Sequence, residues 1–104
     1  MANKITLGFD FNFYKKIIVT NNTFSDTCDA IITFATESVM FLNENNSGIV
    51  EYSFNGNAVH GELDPSLPSR GITFDNRVVS KIWFKIKDGS SGPVTIRVDA
   101  WATR

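Results

Sequence analysis

A chain of 104 residues has room for one compact domain and not for a second. With 42% hydrophobic, 12% aromatic and 20% charged residues it can bury a core without help from disulfides or metals, which argues against intrinsic disorder. A formal net charge of −1 argues against a dedicated nucleic-acid binder, and a single cysteine, Cys28, excludes an internal disulfide and a multi-thiolate metal site.

The N-terminal run MANKITLGFDFNFYKK lacks the uninterrupted apolar stretch of a secretory signal. No segment approaches the about 20 apolar residues of a membrane span. Leu7, Phe9, Phe11 and Phe13 alternate with Gly8, Asp10 and Asn12, which predicts a strand with one apolar face. Further strands are predicted at 15–20, 30–36, 38–42, 49–54, 58–63, 71–74, 78–87 and 94–102, where Val, Ile, Thr, Phe and Tyr cluster. Turn signals fall at 20–29, 43–48, 55–56, 64–69 and 88–93. No helical period runs through the chain, and so many short strands leave too little length for crossover helices. The expectation is an all-β fold, a single antiparallel β-sandwich over 1–104 that is jelly-roll or Greek-key-like.

Two hairpins can be assigned a register. Asn55-Gly56 suits a type I′ turn, because both central residues need positive φ, and it pairs Tyr52 with Val59 and Glu51 with His60. The second hairpin joins SKIWFKIK to VTIRVDAWA through 88–93. With Ile86 opposite Val94, Phe84 meets Ile96, Ile82 meets Val98, Trp83 meets Arg97 and Lys81 meets Asp99. One outer face then carries a Trp83–Arg97 stack, a Lys81–Asp99 ion pair and Trp101.

Catalytic chemistry finds little to build on. His60 is the only histidine, distant in sequence from Cys28, and reads as a half-exposed strand residue facing Glu51. Asp26 and Asp29 lack the dense acidic spacing of a calcium loop, and Gly89-Ser90-Ser91-Gly92 precedes a strand rather than a phosphate-binding helix. Glu51, Glu62, Asp64 and Asp75 are the carboxylates available to a glycosidase, and their ordinary reading is surface solvation. Asn21-Asn22-Thr23 and Asn45-Asn46-Ser47 fit glycosylation sequons and read as turns.

The predicted outer face is the candidate site. Trp83, Arg97, Trp101, Lys81 and Asp99 on one side of a sheet suit a protein interface or a sugar-stacking platform, whereas burial under a loop or the N-terminal strand would make the tryptophans a second core layer. Charge is also uneven. Residues 1–69 sum to −5 and residues 70–104 to +4, which reads as a solvated surface or as a subunit whose faces complement its neighbours.

From Gly48 to Ala102 the chain resembles small β-sandwich virion proteins of tailed bacteriophages. The resemblance is carried by Tyr52 to Gly56 (YSFNG), the Pro-containing loop Asp64 to Pro68, Ile72 to Arg77 (ITFDNR), Lys81 to Phe84 (KIWF) and Val94 to Trp101 (VTIRVDAW). It implies a structural subunit, not an enzyme and without a cofactor, that decorates or cements the capsid. The implied partners are the major capsid protein or other virion proteins and further copies of the chain, with no nucleic acid and no membrane; the implied place is the virion, assembled in the host cytoplasm. A neck or tail component, or a carbohydrate- or receptor-binding module, is the alternative.

Overall fold

Eight strands run through the residues described by the computed structural model, 11–66 and 68–102. They are β1 (Phe11–Val19), β2 (Ala30–Ile31), β3 (Ser38–Asn43), β4 (Val50–Ser53), β5 (Gly61–Leu63), β6 (Gly71–Asp75), β7 (Lys81–Ile86) and β8 (Val94–Ala102). They form two four-stranded antiparallel sheets, the first in the order β1-β8-β3-β6 and the second in the order β2-β7-β4-β5. The antiparallel pairs β1–β8, β2–β7, β3–β6 and β4–β5 nest inside one another, as in a long two-stranded ribbon rolled up on itself. This is the jelly roll, one of the two topologies expected.

Period-two alternation builds the core. Val39 and Phe41 of β3 and Ile96 and Val98 of β8 point inward from the first sheet, and Val50, Leu63, Ile82 and Phe84 point inward from the second. Phe41 lies at the centre, edge-on to Tyr52, Phe74 and Phe84 at centroid distances of 5.2, 5.8 and 5.5 Å. Such edge-to-face pairs add about 0.5–1.5 kcal/mol each beyond area burial.

Several sequence expectations are corrected. The β7–β8 hairpin does not form: β7 pairs with β2 and β4 in the second sheet, whereas β8 pairs with β1 and β3 in the first. Both strands have one apolar face, and two such faces are buried equally well across a core or side by side, so parity does not choose between them. The Asn55-Gly56 hairpin is wider than a two-residue turn. Tyr52 pairs with Gly61 and Glu51 with Glu62, a shift of two residues from the expected register. The Ser53 hydroxyl accepts the N–H groups of Asn55 and Gly56, and Asn55 Oδ1 accepts those of Asn57 and Ala58, so side chains satisfy a longer loop. The third concerns 30–36. Only Ala30 and Ile31 form β2, because 32–37 must cross from the second sheet to β3 in the first.

Phe11 to Val19 is one strand where two segments were predicted, with Phe13, Ile17 and Val19 on its inner side. Leu7 and Phe9 lie outside the described residues. Of the irregular loop expected at 64–69, the described residues 64–66 form no strand and Pro68–Arg70 form a 3-10 turn.

Candidate functional site: the outer face of the first sheet

Cross-strand register sets four rows on the outer face of the first sheet. From β1 to β6 they read Asn12, Trp101, Ser38, Asp75; then Tyr14, Asp99, Met40, Thr73; then Lys16, Arg97, Leu42, Gly71; and Ile18 beside Thr95 at the far end. Three of the five predicted site residues, Arg97, Asp99 and Trp101, therefore share this face, all on β8. Lys81 and Trp83 belong to β7, on the outer side of the opposite sheet. The Trp83–Arg97 stack and the Lys81–Asp99 pair are both absent, a direct consequence of the hairpin that does not form.

Arg97 finds other partners. Its Nε donates to Asp99 Oδ2 at 2.8 Å, two residues on along the same face, and its guanidinium lies 5.5 Å from the Tyr14 ring centroid. Asp99 thus fixes the guanidinium and Tyr14 provides the surface it stacks on, a role the sequence reading gave to Trp83. Beside them Lys16 meets Glu44 at 3.2 Å and the Ser38 hydroxyl donates to Asp75 at 2.9 Å. Between these polar groups the face is apolar. Tyr14 is 59% exposed, Ile18 67% and Trp101 39%, with Met40 and Leu42 half-buried between them. Tyr, Trp, Met and Arg are the residue types enriched where proteins meet. The sequence reading missed Tyr14, Ile18 and Met40; the alternation of β1 places Tyr14 and Ile18 opposite its inward residues, but nothing in the sequence sets β1 beside β8.

The outer face of the second sheet has a different character. Lys85 of β7 pairs with Glu51 of the adjacent β4 at 2.9 Å, and Lys87, just past the end of β7, pairs with Glu62 of β5 at 3.1 Å. The hydrogen bond from Lys87 to Glu62 holds the ammonium pKa above its ordinary value. These two ion pairs join the basic C-terminal part of the chain to its acidic N-terminal part within one sheet. Trp83 is half-buried beneath the 54–60 loop, where a Cβ at Gly56 would lie 2.9 Å from its ring.

The expected partner of His60 is also different. Glu51 is held by Lys85, while His60 Nδ1 accepts the Phe54 N–H at 3.0 Å and its ring lies 5.4 Å from that of Phe54. Nε2 therefore carries the proton of the neutral ring. Asp64 is buried and accepts the hydroxyl and N–H of Ser66, which lower its pKa. Among the described residues no three His, Cys, Asp or Glu side chains come together as a metal site. The chain matches no known protein family, and a search of curated proteins gives no significant match.

Proposed function

We propose that the protein is a structural subunit of a tailed-bacteriophage virion, a capsid decoration or cement protein that binds through the outer face of its first sheet. The carrying observation is the makeup of that face: exposed Tyr14, Ile18 and Trp101 around a guanidinium fixed by Asp99. Exposed aromatic and apolar side chains grouped around a fixed guanidinium have the composition of a protein interface. The jelly roll lends support by analogy, since viral capsid domains use it, and the resemblance across Gly48 to Ala102 points the same way. On this reading the chain does no chemistry and meets the major capsid protein, other virion proteins or further copies of itself.

Mass spectrometry of purified particles should find the chain in stoichiometric copies. Trp101→Ala should leave the fold intact and weaken particle binding by about 2 kcal/mol or more, the usual effect of losing an aromatic anchor. A variant that binds particles as well as the parent overturns the assignment of this face. A second reading, a carbohydrate-binding module, is favoured by the row in which Trp101 lies between Asn12 and Ser38, with Asp75 beyond. An exposed indole flanked by hydrogen-bonding side chains suits a sugar ring, and saturable quenching of Trp101 fluorescence by a glycan would favour that reading.

A further inference from the structure

At the end of the sandwich where β1 begins and β8 ends, the connection between β6 and β7 is pinned through its main chain. The buried Thr36 hydroxyl donates to the Arg77 carbonyl at 2.6 Å and accepts the Val79 N–H at 2.8 Å. The Arg77 N–H donates to the Glu37 carbonyl at 3.2 Å and the Ile32 N–H to the Ser80 carbonyl at 2.8 Å. Asn76 supplies the left-handed turn, with φ of 57°, a conformation asparagine tolerates. The result sends Val79 into the core and leaves Val78 68% exposed. It also lays the Arg77 guanidinium over two rings, 5.1 Å from the centroid of Phe54 and 5.3 Å from that of Phe74. Phe54 follows β4 of the second sheet and Phe74 lies in β6 of the first, so the guanidinium bridges the opening between the sheets.

Beside it is a cleft of about 160 Å³ lined by Phe54, Arg77, Val78, Val79, Ser80 and Lys81. Among the described residues neither Arg77 nor Lys81 is ion-paired, unlike Lys16, Lys85, Lys87 and Arg97. Stacking occupies the guanidinium face and leaves its edge to donate two parallel hydrogen bonds, the geometry that fits a carboxylate. Lys81 adds a second positive charge, Ser80 a hydroxyl, and Val78 and Val79 an apolar wall for a short methylene stem. The volume is well below the about 300–1,000 Å³ of pockets for drug-sized ligands and suits a single side chain.

We propose that this cleft is a carboxylate-binding site that takes an acidic side chain of a partner polypeptide, independently of the first-sheet face. The test is an NMR titration of the ¹⁵N-labelled chain with blocked Gly-Glu-Gly at constant ionic strength, followed at the Arg77 Nε–H and at the Ser80 and Lys81 amides. Saturable shifts are expected there, and blocked Gly-Gln-Gly should produce none. Arg77→Gln should weaken binding about tenfold or more, in line with loss of a bidentate charge-assisted pair. Lys81→Gln should weaken it severalfold; Lys81 is exposed, so this variant keeps the test valid if loss of Arg77 stacking disturbs the fold. Lys16→Gln, which alters the other face, should change nothing. The proposal is overturned by equal shifts from the glutamine peptide, by unsaturable shifts shared with Lys15 and Lys16, or by unchanged binding in Lys81→Gln. Tighter binding of inorganic phosphate would assign the site to another ligand class, and tighter binding of acetate would exclude a peptide-borne carboxylate; either result overturns the proposal as stated.

Discussion

Asn43 ends β3 fully buried, and its side chain joins three segments. Nδ2 donates to the carbonyls of Gly48 and Leu63 at 2.9 and 3.1 Å, and Oδ1 accepts the Asn45 N–H at 2.9 Å. Alanine there would strand polar main-chain groups away from water, so Asn43→Ala should lower stability by about 1–3 kcal/mol in denaturant unfolding. Two carboxylates should leave opposite marks on the pH profile. Burial raises the Asp29 pKa, against the pull of the Phe84 N–H and of Lys15, so its contribution is best below the unfolded value near about 3.9 and declines as pH rises through the folded value. Asp29→Asn keeps an acceptor for Phe84 and should lessen that decline. Asp64 is lowered by Ser66, so its stabilisation is present above the unfolded value and disappears as pH falls through the folded one. Ser66→Ala should therefore be less stable than the parent near neutrality and converge with it in acid, as chemical denaturation at several pH values would record.

At the scale of elements, the loops govern where the strands end. β2 is two residues long, yet Asp29 continues its work: the Asp29 N–H donates to the Ile82 carbonyl at 2.8 Å and its carboxylate accepts the Phe84 N–H at 2.8 Å. A side chain thereby replaces a rung of the ladder at the edge of the second sheet. The 54–60 loop does comparable work over Trp83, and it depends on Gly56, whose φ of +80° disfavours a side chain and whose missing Cβ leaves room for the indole. Gly56→Ala should cost about 1–3 kcal/mol, through strained backbone and a displaced ring, visible as a lower melting temperature. Gly61 has a related role in register, because a Cβ there would collide with the Tyr52 ring. The two-residue shift puts glycine opposite Tyr52 instead of Val59.

For the molecule as a whole, the two tryptophans test whether its faces differ in function. Trp83 is covered by its own chain, so Trp83→Ala should lower folding stability by about 2–3 kcal/mol, below the full cost of a completely buried aromatic, and should spare association once the protein is folded. Trp101→Ala should do the reverse. Melting curves and particle-binding isotherms measured on both variants would show the crossing, and equal effects in the two assays would remove the distinction between the sheets.

Alternation of apolar residues by itself determined the all-β class and the inner sides of β1, β4, β7 and β8, because side-chain direction along a strand follows from backbone geometry alone. The turn residues at 20–29, 64–69 and 88–93 were legible for the same local reason. Only the tertiary structure decided which strands are neighbours. Ile82, Phe84 and Ile86 are equally well buried beside Val94, Ile96 and Val98 or across the core from them, and the jelly roll takes the second arrangement. That choice separates Trp83 from Arg97 and sets Tyr14 against the guanidinium instead. It also brings Arg77 over Phe54 and Phe74, residues from opposite sheets whose meeting no local pattern encodes.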